Sequence, residues 1–526
     1  MSQIKEFINQ GSTFAMSGKF RLAEIEYLKA LQLEPDNLIV LSNLMKVRLV
    51  QKRFDGALTY YQRLIQLEPH NIDTIVEALL LAEMRCIWDE SEKLISSLRR
   101  ALDELPSFNT ESFLMTLPHT FQDLYEWTKK RTLGDTKLQE ILSQKSFDHS
   151  KHKVGKKIKV GYFITELGPF PCGLVMRSFL ENHNHEDFEW HCFCFKDLSQ
   201  EKGDWQKSLI EQEVKCFDYF HDMSNMVDEK QIAQKIYDEK IDIIIDVNML
   251  GNKKWRALAY KPAPVVVGFL GVASTTGLPY YDYLIGDKET IPENQRQYFN
   301  EKIMDMPFCY HPADGELDKI TMRVAKQDLM LPENKVIYCS FVTPFKITPK
   351  YFDMWCRILK AVPESVLWLR SREDAEEDNL RREAMKRGIS PDRIIFLVGI
   401  DNRALFLSCF KLADLSLDTE IWQSHSTCLE SLGCGVPLLT CTGDSFCSRV
   451  PTAMLKAFGL PEMVCENMQE YEEKAIDLGL HPEKLRALKI KTRALNTPHN
   501  PLFDMKQYAY HFEDNLKKML HEKGLR

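Results

Sequence analysis

Three consecutive isoleucines, Ile243 to Ile245, stand between Asp242 and Asp246. An apolar run this short and unbroken, closed by charges, marks a strand buried on both faces, and such strands belong to parallel sheets covered by helices. The neighbouring segments obey the same constraint. Ile158 to Ile164 reads as a compact strand, followed by the loop GPFPCG and the helical LVMRSFLEN; FEWHCFCF, PVVVGFLG and YYDYLIGD supply further strands. After a break around residues 312–318 the series restarts. KVIYCSF, SVLWLRS, RIIFLVG, LADLSLD and GVPLLTC read as strands, with TPKYFDMWCRILKAVP and the charged DAEEDNLRREAMKRG as helices among them. Strands alternating with helices imply right-handed crossovers and parallel sheets. Two such series predict two facing Rossmann-like lobes, with a ligand cleft at the C-terminal ends of their strands. A fold of this kind serves many activities, so the motifs must decide.

A different period rules the front of the chain. QLEPDN at 32–37 returns as QLEPHN at 66–71, an offset of 34 that also relates Phe20 to Phe54, Ala23 to Ala57, Tyr27 to Tyr61 and Leu33 to Leu67. The small residues let paired helices approach, and Pro35 and Pro69 end the second helix of each unit. The period and pattern resemble the tetratricopeptide repeat. Ile72 to Arg100 stays helical but loses the consensus. Two roles fit so short an array: a groove that presents acceptor proteins, or a cap that stabilises the following domain. The expected organisation is repeats with a degenerate third helical unit over 1–104, a helical linker over 105–157, one α/β lobe over 158–318, and a second lobe with a terminal helix over 319–526.

Composition narrows the partners. A chain of 526 residues is too long for one core, and its net charge of −8 offers no reason to expect DNA or RNA, which need a basic face. No apolar stretch approaches the ~20 residues of a membrane span. The first twenty residues lack a charged leader followed by an apolar run, and the fourteen cysteines show no CxxC…CxxC spacing. Reduced, buried thiols and a cytoplasmic location are the expectation.

Two segments carry chemistry. In the first, a strand ends near Asp418, a polar loop follows, and His425, Ser426 and Thr427 open a helix with Glu430 one turn on. Amide hydrogens and hydroxyls at a helix start bind phosphate oxygens, and a carboxylate one turn later can accept both hydroxyls of a ribose. The same residues also serve as ordinary helix capping. In the second segment, a strand runs into a loop bearing Lys346, just before a helix that starts at Thr348-Pro349. A lysine there can neutralise a departing diphosphate, or simply sit at the surface.

SFVTPFKITPKYFDMWCRILKAVPESVLWL and LADLSLDTEIWQSHSTCLESLGCGVPLLT closely resemble the O-GlcNAc transferase family. So do Lys261-Pro-Ala-Pro264 with the following GFLGVASTTGLPYYDYLIGDKET, the repeat front, Ile87-Trp88-Asp89 and Ser448-Arg449-Val450. That family includes protein O-GlcNAc transferases, SPINDLY-type O-fucosyltransferases and bacterial adhesin N-glucosyltransferases. The resemblance implies a GT-B fold and inverting transfer from a nucleotide diphosphate sugar to a protein side chain (Ser/Thr or Asn), without a metal. It places the phosphate-binding lysine on Lys346, the helix-start motif on His425, Ser426 and Thr427, and the ribose-binding acid on Glu430. The turn that approaches the sugar falls on Leu270, Gly271, Thr275 and Thr276.

The chain also departs from the family. Phe170 stands where a histidine is usual in the loop after the first core strand, and a second family histidine appears as Asp242, which removes the obvious general base. Glu166 and Asp242 are the stand-in candidates. Trp422 replaces a small residue and narrows the expected sugar pocket towards an unsubstituted hexose. The leading expectation is a cytoplasmic UDP-sugar-dependent protein glycosyltransferase, donor GlcNAc or hexose, acting on a protein acceptor such as a bacterial surface adhesin. Two alternatives remain: GDP-fucose as donor, from Thr275-Thr276-Gly-Leu-Pro279 and Glu430, and a silent adaptor that keeps the fold.

Overall fold

The computed structural model describes the chain apart from residues 1, 52, 70, 109–116, 166, 169, 199–202, 314–316, 318–321 and 401. It divides into two compact units, residues 1–117 and 118–526.

Among its described residues the first unit has six helices: α1 (Ser2–Met16), α2 (Phe20–Leu33), α3 (Leu38–Val50), α4 (Phe54–Leu67), α5 (Ile72–Met84) and α6 (Trp88–Glu104). The repeated LEPxN motif both closes and reopens a helix. Proline follows the end of α2 and α4, and the asparagine two residues later caps the next helix: Asn37 Oδ1 accepts from Val40 N at 3.0 Å, and Asn71 Oδ1 from Thr74 N at 3.1 Å. Ala23 and Ala57 are fully buried, as close helix packing requires. Tyr27 and Tyr61 fill matching interior positions. The stretch after Asn71 forms a complete third hairpin, α5 with α6, despite its lost consensus.

The second unit holds two sheets in which every pairing is parallel. The first runs in the order β3-β2-β1-β4-β5-β6-β7, with β1 (Ile158–Ile164), β2 (Phe188–Cys194), β3 (Tyr219–Asp222), β4 (Ile243–Asp246), β5 (Val265–Gly268), β6 (Tyr283–Gly286) and β7 (Lys302–Asp305). The second is β10-β9-β8-β11-β12-β13, with β8 (Val336–Ser340), β9 (Ser365–Ser371), β10 (Ile394–Val398), β11 (Leu415–Leu417), β12 (Leu438–Cys441) and β13 (Val464–Cys465). Both orders reverse beside the first strand of the series, the topological switch point where doubly wound sheets bind ligands. β4 is buried along its whole length, as its isoleucines demand. These are the two Rossmann-like lobes of a GT-B architecture.

Two segments tie the unit together. The helices Phe121–Gly134 and Thr136–Ser143 pack on the first lobe, where Asp135 takes a buried ion pair from Arg256 at 2.7 Å and Leu138 and Ile141 join Trp255 and Tyr281 in one core. The terminal helix Met505–Glu522 crosses back to the first lobe. There Phe512 packs edge-on against Phe179, and Glu513 accepts from Asn184 N at 2.9 Å.

Candidate active site

A cavity of about 540 Å³ opens between the lobes, lined from the C-terminal ends of strands in both sheets. The second lobe supplies most of its polar groups. The peptide turns once at Pro344–Lys346 before the helix Pro349–Ala361, whose start Thr348 caps by accepting from Tyr351 N at 3.3 Å. This fixes the backbone on both sides of Lys346 and sends its side chain into the cavity. Nζ donates to Gln423 O at 3.1 Å and lies 5.3 Å from the centre of the Trp422 ring. Burial lowers the Lys346 ammonium to about 8, although the Asp418 carboxylate pulls the other way.

The loop that follows β11 is wound around Asp418. This fully buried carboxylate accepts from Thr419 N, Ser424 N, Ser424 Oγ and Thr440 Oγ1 at 2.6–2.9 Å. All four are donors, so the site is built for an ionised carboxylate, even though burial pushes its pKa up. The loop delivers His425 to the start of the helix Ser426–Gly433. His425 donates through Nε2 to Cys447 O at 2.9 Å, and burial together with the Lys346 charge keeps its ring neutral. Its side chain makes no capping bond. Ser426 and Thr427 line the cavity, and their amides and hydroxyls have no protein acceptor among the described residues. Glu430 lies one turn further on, with Oε1 held by Arg403 Nη1 at 2.8 Å.

The first lobe contributes backbone. Leu270 adopts φ +67°, and a Cβ on Gly271 would lie 2.6 Å from the Asn248 carbonyl, so only glycine lets the chain pass there into the cavity wall. Lys346, Trp422, His425, Ser426, Thr427, Glu430, Leu270 and Gly271 thus meet at one cavity.

The other expected residues lie elsewhere. Thr275 and Thr276 are buried outside the cavity lining, with both hydroxyls donated to Glu301, which also accepts from Thr276 N at 2.6 Å. Their hydroxyls are thus spent on a protein acceptor. Asp242 precedes β4 and so lies at the opposite end of the sheet from the cavity. Its carboxylate is taken by His152 Nε2 at 2.5 Å and Lys159 N at 2.7 Å, which withdraws it as a candidate base. Glu166 lies outside the described residues. Phe170 carries the Lys196 ammonium over its ring at 4.0 Å.

Several cavity residues escaped sequence reasoning. Arg370, Arg372 and Arg403 join Lys346 on the wall, while Glu430 is the one carboxylate among the described lining residues. Arg370 lies over the Phe406 ring at 4.8 Å. In a chain of net charge −8 this is a local anion trap. His311 also lines the cavity. Its Nδ1 donates to Pro312 O at 2.8 Å, and burial lowers its pKa to about 4, leaving a neutral ring whose Nε2 is an acceptor. Arg370 and Arg372 stand at the end of β9 and Arg403 opens the helix Arg403–Phe410, so only the folded topology brings them together.

Comparison with known proteins shows the family and the fold. A model of glycosyl transferase family 41 matches residues 89–316 and 312–512. The chain is 32% identical over 372 residues to a probable UDP-N-acetylglucosamine–peptide N-acetylglucosaminyltransferase SEC of Arabidopsis thaliana, covering 69% of this chain and 37% of that protein. It is 24% identical over 556 residues to a UDP-N-acetylglucosamine–peptide N-acetylglucosaminyltransferase of Caenorhabditis elegans, covering 82% and 48%. The chain therefore spans less than half the length of these curated relatives. Among solved structures, a lysine-to-methionine mutant of the Thermobaculum terrenum O-GlcNAc transferase superposes with a TM-score of 0.73 at 21% identity, covering 99% of this chain and 98% of that one, and so shares its fold. With the family model matched across both lobes, the chain belongs to glycosyl transferase family 41.

Proposed function

We propose that this protein transfers a sugar from a UDP-sugar to a protein side chain, with inversion and without a catalytic metal. The observation that carries the reading is the clamp formed by Lys346 and the uncapped helix start at Ser426 and Thr427. When the glycosidic bond to the donor breaks, negative charge grows on the β-phosphate, and preorganised donors in a water-poor cavity stabilise it. The Lys346 ammonium and the two amides supply that stabilisation. A magnesium-dependent cleft offers carboxylates to the ion, whereas the described lining here has only Glu430, already paired with Arg403. In this reading Glu430 accepts the ribose hydroxyls, and Leu270, Gly271 and Trp422 bound the sugar.

The relatives' names point to UDP-GlcNAc as donor and a peptide as acceptor. Trp422 favours a second reading, a UDP-hexose, because its indole occupies the cavity between Phe345 and Lys346. Incubating the protein with UDP-GlcNAc, UDP-glucose or GDP-fucose and a panel of Ser/Thr- and Asn-containing peptides distinguishes the donors by the mass added. A HexNAc or hexose increment with a UDP donor is expected; a deoxyhexose increment from GDP-fucose alone, or no increment with any donor, contradicts the proposal. If Trp422 sets the pocket, Trp422→Ala raises the UDP-GlcNAc to UDP-glucose preference by about tenfold, the scale on which hydrophobic pockets discriminate small groups; an unchanged ratio places the indole outside the sugar site.

Glu430→Ala should weaken UDP binding by about tenfold, equivalent to about 1.4 kcal/mol, without a large loss of thermal stability. An unchanged dissociation constant would remove Glu430 from the ribose site.

A further inference from the structure

A second constellation lies on the outer edge of the first sheet, away from the cavity lining. β2 and β3 pair with His191 opposite Tyr219 and Phe193 opposite His221, which puts both histidines on one face, two register positions apart. Their rings are parallel within 5°, with centroids 5.3 Å apart, and His191 Nδ1 lies 3.0 Å from His221 Nε2. Glu239 follows the helix Glu229–Asp238 and brings Oε1 to 3.9 Å from His221 Nδ1. Aromatic stacking holds both rings in place, Tyr219 against His191 at 4.7 Å and Phe193 against His221 at 4.5 Å.

The tautomers are set by the neighbours. His191 Nε2 lies 3.0 Å from Glu189 Oε1, so it carries the proton and leaves Nδ1 as a bare lone pair aimed at His221. Lys159 anchors Glu189 in turn at 3.0 Å. Metal-ligating histidines commonly donate one ring N–H to a carboxylate and keep the other nitrogen for the ion, and the Glu189–His191 pair supplies the first half of that arrangement.

We propose that His191, His221 and Glu239 form a binding site for a divalent transition metal of the Zn²⁺ class, with one coordination position open to solvent. One donor atom from each residue already lies within 4.8 Å of the other two. Tetrahedral zinc with bonds of about 2.0–2.2 Å needs donors about 3.3–3.5 Å apart. The two imidazole nitrogens, 3.0 Å apart, must open by a few tenths of an ångström, and the Glu239 side chain, which now lies beside His221 Nδ1, must rotate to the Nε2 side of the ring. Glu239 must first release Lys235, a surface pair of small worth. The proton that His221 Nε2 shares with His191 moves to His221 Nδ1, and the metal takes its place. The ion would clamp β2, β3 and the end of the helix Glu229–Asp238. The proposal is independent of the transferase reading.

The full chain, stripped with a chelator and then dialysed, should take up one equivalent of Zn²⁺ by calorimetry and give the d–d absorption of tetrahedral Co²⁺. His221→Ala, altered at a half-buried edge position, should weaken zinc binding by about 100-fold, and Glu189→Gln by about 10-fold, the range seen for outer-shell partners. Glu239→Ala should fall between them. Equal melting temperatures of the metal-free variants and parent show that each variant folds. A parent that binds no zinc equivalent, or a His221→Ala variant that binds zinc as tightly as the parent, overturns the proposal. If His221→Ala fails to fold, the same readings on the more exposed Glu239→Ala decide it.

Discussion

Lys346→Ala is expected to lower sugar transfer by about 10²- to 10³-fold, the cost of removing one preorganised donor from a developing oxyanion. The fold should survive, because among the described residues the ammonium makes one protein hydrogen bond, to Gln423 O, and its burial disfavours the charge it carries. The same chemistry fixes a pH dependence. Only the protonated amine stabilises the leaving diphosphate, so kcat/KM should fall as pH rises through the free-enzyme value of about 8. In the donor complex the bound phosphates favour the ammonium, and the fall in kcat should lie at higher pH. A pH profile of the parent, beside single-turnover rates of Lys346→Ala, checks both. An alkaline limb absent below pH 10, or a variant with parental rates, would remove lysine from the reaction.

The second large effect belongs to Asp418, which no motif marks as functional. Asp418→Ala leaves Ser424 N and Thr419 N buried without their acceptor, along with two hydroxyls. Orphaning such donors should cost about 3 kcal/mol in stability, and it frees the loop that carries Trp422 and His425. Donor binding should be lost with it. Asp418→Asn separates geometry from charge. The amide oxygen still accepts from Ser424 and Thr419, so the loop stays ordered, but Lys346 loses the negative charge that raises its pKa. The alkaline limb of kcat/KM should then move to lower pH while the melting temperature changes little. A limb that stays in place in Asp418→Asn would show that the two groups are not coupled.

The two-lobed architecture was legible in the sequence because buried parallel strands have to read as short apolar runs. The repeats were legible because each unit reuses the same proline and asparagine at one offset. That Lys346 and the stretch from His425 to Glu430 would share one cavity was legible for a related reason, because both lie in continuous segments that follow strands. Contacts between segments were not. Arg403 and Glu430 are joined only by folding, and Thr275 and Thr276 look like ligand groups until Glu301 is seen to accept their hydroxyls. Nothing in a linear pattern says whether a hydroxyl faces a cavity or the core. Asp242 is a different case. It precedes its strand, and ligand sites of parallel sheets lie at the opposite ends, so strand polarity alone argues for the Asp246 end, away from Asp242. Asp246 itself is fully buried and bonded to Tyr281 OH at 2.6 Å. The return of the terminal helix to the first lobe through Phe512 and Glu513 had no local signal.

The central claim, a diphosphate clamped by one ammonium and a helix start without a divalent ion, is tested most directly by calorimetric titration of UDP into the chain with excess chelator. Saturable one-site binding is expected, unchanged when magnesium replaces the chelator and at least about 100-fold weaker in Lys346→Ala. Absence of binding, or binding that requires magnesium and tolerates the alanine, would contradict it.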